Sequence, residues 1–379
     1  MRDPVAGLTV PLSGFTLPEG SPVLRDHVRK PKRRSDHYHA AFDRRTLIYD
    51  CVWQPDHNRY LLMTPMLSNL WPTLRDGLRQ NGAPVQGLRR KRMGKYDLVM
   101  VPGAKVDLSL VLGDKEYPLT QRASVAENFA GMNCAVTMNR NNPLDWITDW
   151  AAWHVALHGL QGVLIFDNGS DAYSPDELAA ALAGVRGLQQ VVVASAPYPY
   201  GTTDRVERGE IRPNFLQPAM LNLARTDFLR KARAVLNADF DELVMSRDGS
   251  SVFDAAVARR HLAVRLPVYW AYPDPDVSGP ARQLDHQFRN DPKRRTPRKW
   301  CVAPGGLSSR FGWHVHHVGG EVFKLNREST DHEVIHCRAA STGWNARRGR
   351  HQTLERRVPD PELTELMARM QCRFDEGAL

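Results

Sequence analysis

The chain has no uninterrupted apolar run near the roughly 18 residues that a membrane-spanning helix requires. Its first residues, Met-Arg-Asp-Pro-Val-Ala-Gly, contain no hydrophobic segment of the kind found in a signal peptide. Both absences argue against insertion into a membrane and against export. We therefore expect a cytoplasmic protein that makes at most a peripheral contact with the inner face of the membrane.

Cysteine is scarce and scattered. The 379 residues contain five cysteines, and no two of them form a Cys-x-x-Cys pair. Because zinc ribbons and redox-active dithiols depend on such pairs, the sequence gives no support to either kind of site. An odd number of dispersed cysteines is typical of reduced thiols rather than of a disulfide framework.

Several signatures of nucleotide and nucleic-acid binding are also missing. The sequence has no glycine-rich phosphate loop, which weakens the hypothesis of a phosphotransferase or nucleotidyltransferase. It has no helix-turn-helix, zinc-finger or RNA-binding aromatic signature, which weakens the hypothesis of a basic nucleic-acid-binding protein. Both hypotheses stay open as alternatives, although these absences lead us to expect no nucleic-acid partner.

Positive charge, in contrast, is abundant. The net charge is +9, and basic runs occur at residues 29–34, 89–95, 293–299 and 347–350. This excess favours an anionic partner such as nucleic acid, an acidic membrane face or a diphosphate ligand. Since the runs are dispersed rather than gathered in one tail, we expect the first two to be solvated surface.

A length of 379 residues allows about two domains, and 42% hydrophobic residues are typical of a globular chain. Residues 1–38 lack periodicity and predict a partly ordered leader. Residues 39–125 predict a β-rich domain with strands over 46–53, 59–66, 96–101 and 105–112, interrupted by a helix over 70–81. Residues 356–379 predict a C-terminal helix.

Residues 130–355 alternate between strand and helix patterns. Strands are predicted over 134–138, 162–166 and 191–194, and helices over 143–157, from Ser174 onward, and over 218–233. The last helix leads into a strand that carries Asp239. This order predicts an α/β fold with a mostly parallel, Rossmann-like sheet. Three tryptophans share one face of the 143–157 helix and are expected in the core, together with a buried His154.

Asp239 and Asp241 follow the apolar residues 234–236 of the last predicted strand, in the segment Ala-Asp-Phe-Asp-Glu. If the segment is extended, residues at i and i+2 point the same way, so the two carboxylates can share one hard cation. Ligands of open α/β sheets bind at the carboxyl ends of the strands, where this pair is expected. The alternative interpretation is a solvated or helix-capping pair of acids.

Four segments together resemble the family-2-like and family-92-like glycosyltransferases of the GT-A type. They are Val-Thr-Met-Asn-Arg at 136–140, Trp-Ile-Thr-Asp-Trp-Ala-Ala-Trp-His at 146–154, Val-Leu-Ile-Phe-Asp-Asn-Gly-Ser-Asp at 163–171 and Ala-Asp-Phe-Asp-Glu-Leu-Val at 238–244. A thinner likeness continues through 299–304, 314–317 and 335–338. The sequence departs from the family pattern at Asp149, at Cys337 and over 269–275, so the resemblance concerns the donor side more than the acceptor side.

The resemblance implies a metal-dependent enzyme that moves a sugar from a nucleotide-diphosphate-sugar donor to a saccharide or cell-envelope-type acceptor. The cofactor would be Mn²⁺ or Mg²⁺, held by Asp239 and Asp241 with a histidine from the C-terminal third, His336 first and His317 second. The implied donor-binding residues are Thr137, Asp167, Asp239, Arg338 and Arg347, with Arg348 as a further diphosphate contact. Asp167 is also a good turn former. The catalytic base stays open among Glu242, Asp285 and Asp331.

Overall fold

A computed structural model describes residues 5, 7–202, 204, 207, 209–259, 261, 263–278, 280–320, 324, 326–338 and 357–375. The chain forms two compact units. One consists of Met1–Val10, Asn128–Ala194 and Leu229–Leu379, and the other of Pro11–Glu127 and Ser195–Phe228. The sequence interpretation assigned the Ser195–Phe228 segment to the α/β region. In the structure this segment belongs to the unit that contains Pro11–Glu127. The sequence did not indicate this, because a chain that passes between units leaves no local sequence pattern.

The N-terminal part of the chain is rich in short strands. Its elements are β1 (Gly7–Pro11), β2 (Phe15–Thr16), α1 (Asp36–Ala41), β3 (Thr46–Ile48), β4 (Asp50–Gln54), β5 (Arg59–Pro65), α2 (Trp71–Gly77), β6 (Leu78–Gln80), β7 (Ala83–Pro84), β8 (Arg89–Arg92), β9 (Tyr96–Pro102), β10 (Leu108–Leu112), β11 (Lys115–Pro118) and β12 (Arg122–Ala123). The predicted helix over 70–81 was too long, since α2 ends at Gly77 and the chain continues directly into β6.

The β-rich unit contains a five-stranded sheet in the order β12-β4-β5-β9-β8, a four-stranded sheet in the order β11-β10-β6-β7 and a two-stranded sheet of β2 and β3. Its interior contains a charged triad. Arg122 donates to Asp50 Oδ2 from Nε at 2.8 Å and to Asp227 Oδ2 from Nη2 at 2.8 Å, and both carboxylates are fully buried. Burial raises the pKa of Asp50, although the Arg122 guanidinium acts in the opposite direction. The triad ties β4 and β12 to the segment that ends at Phe228.

The second part of the chain alternates between helices and strands. Its elements are β13 (Asn133–Asn139), α3 (Leu144–His158), β14 (Gly162–Asp167), α4 (Pro175–Ala183), β15 (Gln190–Ser195), α5 (Leu216–Leu223), β16 (Ala234–Asn237), β17 (Glu242–Ser246), α6 (Val252–Ala258), β18 (Ala263–Ala271), β19 (Phe288–Asn290), β20 (Arg295–Val302), β21 (Trp313–His314), β22 (His317–Val318), β23 (His332–Cys337), β24 (Arg357–Pro359) and α7 (Pro361–Asp375). The predicted helix over 218–233 was wrong at its end, because α5 gives way to a π-helical turn over Ala224–Phe228.

A nine-stranded sheet in the order β1-β15-β14-β13-β16-β20-β18-β23-β17 organises the larger unit. β13 pairs in parallel with both β14 and β16, and the later strands add antiparallel neighbours, beginning with β20 beside β16. The α/β class, the large sheet and the separate N-terminal β-rich sheets predicted from the sequence are confirmed. None of the helices in the described part of the chain has the length and hydrophobicity needed to cross a bilayer.

Helix α3 packs along β17, the last strand of this sheet. Trp150 Nε1 donates to the carbonyl oxygen of Glu242 at 3.1 Å, and Trp153 Nε1 donates to that of Val244 at 2.7 Å. His154 Nε2 accepts from the backbone N–H of Val244 at 3.3 Å, and burial lowers the pKa of this histidine to about 3, which keeps it neutral. The expected core tryptophans and buried histidine are confirmed, and they also hold the strand that follows the acidic segment.

Candidate functional site

Asp239 and Asp241 lie in a tight turn, residues 239–242, which joins β16 to β17 and which we call the acidic turn. The backbone N–H of Glu242 donates to the carbonyl oxygen of Asp239 at 3.0 Å, which closes the turn. The expectation that both acids lie on an extended strand is therefore wrong: β16 ends at Asn237. The turn still follows the carboxyl end of a strand that is parallel to β13, so the acids lie where ligands of α/β sheets bind.

A buried lysine from β20 engages two carboxylates of the turn. Lys299 Nζ lies 2.7 Å from Asp239 Oδ2 and 2.8 Å from Glu242 Oε2, and the lysine side chain is only 1% exposed. Burial opposes the charge on Lys299, but the two carboxylates outweigh it and raise its pKa. Burial raises the pKa of Glu242. The carboxylate of Asp239 is only partly enclosed; this desolvation acts to raise its pKa, but the Lys299 charge prevails and lowers it. This lysine was not among the site residues expected from the sequence.

Asp241, the other acid of the turn, faces a histidine of β23. His336 Nε2 lies 3.1 Å from Asp241 Oδ2, and the backbone N–H of Cys337 donates to the carbonyl oxygen of Asp241 at 2.7 Å. The antiparallel pairing of Glu242 with His336 fixes this approach. Burial opposes protonation of His336, but the Asp241 carboxylate prevails and raises its pKa.

An aromatic side chain of β18 covers the histidine. The Trp270 ring lies over His336 with centroids 3.9 Å apart, in the register that pairs Trp270 with His336. The Arg338 guanidinium lies 4.7 Å from the centroid of the same indole. Trp270, which was also missed from the sequence, therefore contacts both a predicted metal ligand and a predicted diphosphate contact.

The Asp241 and His336 side chains lie within hydrogen-bond distance of each other, and their spacing is also one that could hold a divalent cation. Two ligands at about 2.1 Å on adjacent vertices of an octahedron are about 3 Å apart, close to the observed 3.1 Å. Nε2 is the ring nitrogen that faces Asp241, whereas Nδ1 is buried and has no hydrogen-bond partner in the described part of the chain. Asp239 binds Lys299 through Oδ2 only, and its side chain is 42% exposed. Among the described residues, however, no three His, Cys, Asp or Glu side chains already converge as a metal cluster.

The other predicted histidine lies apart from this pair. His317 belongs to the β21–β22 hairpin, where its ring stacks on His314 with centroids 4.3 Å apart. Its neighbour His316 lies beside the strand that carries Lys299, with Nδ1 3.3 Å from the carbonyl oxygen of Arg298. Burial and the Lys299 charge lower the pKa of His316 to about 4, and Asp239 acts on it in the opposite direction. Arg347 and Arg348 lie outside the described residues.

The predicted base contact, Asp167, ends β14 and organises a polar turn. Its Oδ1 accepts from Asn139 Nδ2 at 2.7 Å and from Ser170 Oγ at 2.6 Å, and its Oδ2 accepts from the Ser170 N–H at 3.0 Å. Thr137 is buried on β13, two residues before Asn139, the residue that pairs with Asp167. Asp167 thus acts as a turn former in the structure, and its contact with a base stays a prediction.

The three candidate bases occupy different places. Glu242 is buried and holds both Lys299 and the backbone N–H of Asp239, the latter at 2.8 Å. Asp285 is partly buried and accepts from the Arg282 N–H at 2.6 Å. Its turn, Gln283–Asp285, contacts Cys337, whose Sγ lies 3.9 Å from the Gln283 carbonyl oxygen. Asp331 is exposed and precedes β23, whereas His336 lies near the other end of that strand, so the structure does not bring Asp331 to the acidic turn.

Comparisons with known proteins add partial likenesses. No family model matches the chain, and no curated protein matches its sequence. One similar solved structure is the active-site mutant Q189E of LgtC, with a TM-score of 0.26 and 16% identity over 46% of this chain and 57% of that one. The galactosyltransferase LgtC in complex with donor and acceptor sugar analogues has a TM-score of 0.28 and 16% identity over 52% of this chain and 67% of that one. The apo bifunctional glycosyltransferase WbbM has a TM-score of 0.24 and 10% identity over 46% of this chain and 28% of that one.

Proposed function

We propose that the chain is a metal-dependent glycosyltransferase of the GT-A type, similar to families 2 and 92. The observation that carries the proposal is the approach of His336 to Asp241 within 3.1 Å, beside Asp239, after the carboxyl end of β16. Asp-x-Asp and a distant histidine form a donor set of oxygen and nitrogen atoms that suits Mn²⁺ or Mg²⁺. Such an ion supplies positive charge against the negative charge that a diphosphate leaving group gains.

The chain's own residues have separate tasks in this proposal. Asp241 and His336 hold the ion, and Asp239 offers the carboxylate oxygen that is not bound to Lys299. Arg338, on the same stretch as His336, adds a guanidinium suited to a phosphate of the nucleotide-diphosphate-sugar donor. Thr137, Asp167 and Arg347 complete the proposed donor site, and the acceptor is a saccharide or cell-envelope-type molecule.

Asp285 is the best placed of the three proposed bases. A general base needs an accessible carboxylate that is not already neutralised. Glu242 is bound to a buried ammonium, and Asp331 lies at the far end of β23. Asp285, in contrast, is partly exposed and belongs to the Gln283–Asp285 turn. The Gln283 carbonyl oxygen of that turn lies 3.9 Å from Cys337 Sγ, and the Cys337 N–H donates to the carbonyl oxygen of Asp241 at 2.7 Å.

Thermal unfolding with a panel of ligands tests this function. A ligand that binds only the folded state raises the melting temperature by mass action, with about 2.7 kcal/mol of stabilisation at a hundred times its Kd. We expect nucleoside diphosphates and nucleotide sugars to raise the melting temperature more in the presence of Mn²⁺ than in its absence. A shift with nucleoside triphosphates alone favours nucleotidyl or phosphoryl transfer. A salt-sensitive shift with an oligonucleotide alone favours nucleic-acid binding.

The two predicted histidine ligands give a second test. Replacing His336 with Ala is expected to weaken Mn²⁺ binding at least about tenfold, because it removes one of the two adjoining ligand atoms. His317→Ala is the matched control, since its ring stacks on His314 in the hairpin, and it is expected to leave the affinity within about twofold. Titration of the nucleotide-free proteins with Mn²⁺ measures both. An effect of His317→Ala alone contradicts the assignment of His336.

A further inference from the structure

The acidic turn carries a built-in positive charge. Lys299 Nζ is within 2.8 Å of one oxygen of Asp239 and one of Glu242, and the ammonium group has almost no contact with solvent. An unpaired ammonium is strongly disfavoured in such a place. The two ion pairs therefore hold Lys299 in a fixed position rather than leaving it mobile at the surface.

The same contacts constrain Glu242. Its Oε2 accepts both from Lys299 Nζ and from the Asp239 N–H at 2.8 Å, and its Oε1 lies 3.8 Å from His336 Nδ1, on the side of the imidazole opposite Asp241. Glu242 thus lies on the Nδ1 side of His336, whereas Asp241 lies on the Nε2 side. The pairing therefore engages Glu242 Oε2, and we do not count this carboxylate among the metal ligands.

The net charge of the acidic turn and its lysine determines which cation they can neutralise. Asp239, Asp241 and Glu242 bring three negative charges when ionised, and Lys299 brings one positive charge, so the turn keeps two negative charges. A ligating imidazole is neutral and changes nothing in this sum. Two residual charges match one divalent ion.

We propose that Lys299 is the internal counter-ion of the acidic turn: it locks Glu242 and one oxygen of Asp239 in place and sets the residual charge to that of a divalent cation. This rests on the proposed function for the identity of the ion, but the pairing itself does not. Lys299 is accordingly a positioning residue, because it acts on the ligand only through the two carboxylates.

A single variant that changes the net charge and a double variant that restores it test the proposal. Lys299→Met removes the ammonium and leaves Glu242 without a counter-ion, so we expect the melting temperature of the metal-free protein to fall by roughly 5–10 °C. Lys299→Met combined with Glu242→Gln removes one charge of each sign, and we expect it to recover at least half of that loss. Lys293→Met makes the same chemical change at a lysine whose side chain is 41% exposed, and serves as the control.

Metal selectivity supplies the second measurement. In the Lys299→Met variant the turn carries three charges, so the ratio of Tb³⁺ to Mn²⁺ affinity is expected to rise at least about tenfold. The double variant should return this ratio to within about threefold of the native protein, and this comparison still applies if Lys299→Met alone fails to fold. Tb³⁺ luminescence excited through tryptophan is a suitable readout, because Trp270 covers His336.

The outcomes separate the two proposals. Equal melting temperatures for Lys299→Met and the native protein, or a double variant no more stable than Lys299→Met, overturn the counter-ion role. An unchanged Tb³⁺ to Mn²⁺ ratio in Lys299→Met overturns its control of charge. If the native protein binds neither ion while the stability pattern holds, the pairing of Lys299 is supported and the metal dependence of the proposed function is overturned.

Discussion

Replacing Asp241 with Asn is expected to lower the rate of donor turnover about a hundredfold or more while the fold survives. The change preserves the size of the side chain and removes the negative charge that faces His336 Nε2 at 3.1 Å. Loss of one preorganised electrostatic contact at a developing charge has this order of effect. The measurement is release of nucleoside diphosphate from a nucleotide sugar in limiting Mn²⁺.

Two further variants sharpen the interpretation. Asp239→Asn is expected to lower turnover similarly and also to lower the melting temperature, because it takes away one of the two partners of buried Lys299. Asp254→Asn makes the same change on an exposed position of α6 and is expected to leave turnover unchanged. Near-normal turnover in both Asp241→Asn and Asp239→Asn would show that the acidic turn holds no catalytic ion.

Replacing Arg122 with Met is expected to destabilise the β-rich unit by about 3–5 kcal/mol. The methionine fills similar space but leaves Asp50 and Asp227, both fully buried, without their shared counter-ion. Removal of one partner from a buried ionic network carries this cost because the remaining charge is neither solvated nor paired. Urea unfolding followed by tryptophan fluorescence measures the loss, and Trp53 on β4 lies in the same unit.

A rescue variant distinguishes charge from packing in this experiment. Combining Arg122→Met with Asp50→Asn and Asp227→Asn leaves no uncompensated charge, and we expect most of the lost stability to return. Arg75→Met is the control, because Arg75 pairs with Asp76 on an exposed part of α2, and it should cause no measurable change. A triple variant as unstable as Arg122→Met would attribute the loss to the packing of Arg122 over Phe228.

The sequence was sufficient for the fold class and for the neighbourhood of the site. Apolar runs with turn residues after them predicted β13, β14, β15 and β16, and hence a sheet whose strand ends meet. Val334 and Ile335, an apolar pair typical of a strand, precede His336, and the structure places this histidine near the end of β23, beside Asp241. Both inferences depend on local patterns, which a single sequence displays directly.

The partners of the acids could not be predicted in the same way. Lys299 lies 57 positions after Glu242, and their contact depends on the antiparallel insertion of β20 between β16 and β18. In the sequence, Lys299 ends the basic run 293–299 and begins the segment 299–304, which resembles a family motif. Neither feature indicates a role for this lysine. The turn geometry of Asp239 and Asp241 was missed because continuous apolar residues on both sides, in β16 and β17, resemble one long strand.

The contact between α3 and β17 also affects how the protein avoids association with other chains. An edge strand exposes a row of N–H and C=O groups that can pair with a strand from another molecule. On β17 the groups of this row at Glu242 and Val244 are already bonded, since their carbonyl oxygens accept from indole nitrogens and the Val244 N–H donates to His154. A foreign strand therefore has to displace the whole helix before it can add to the sheet. The same side chains that fix the backbone behind the acidic turn thus protect this edge from aggregation.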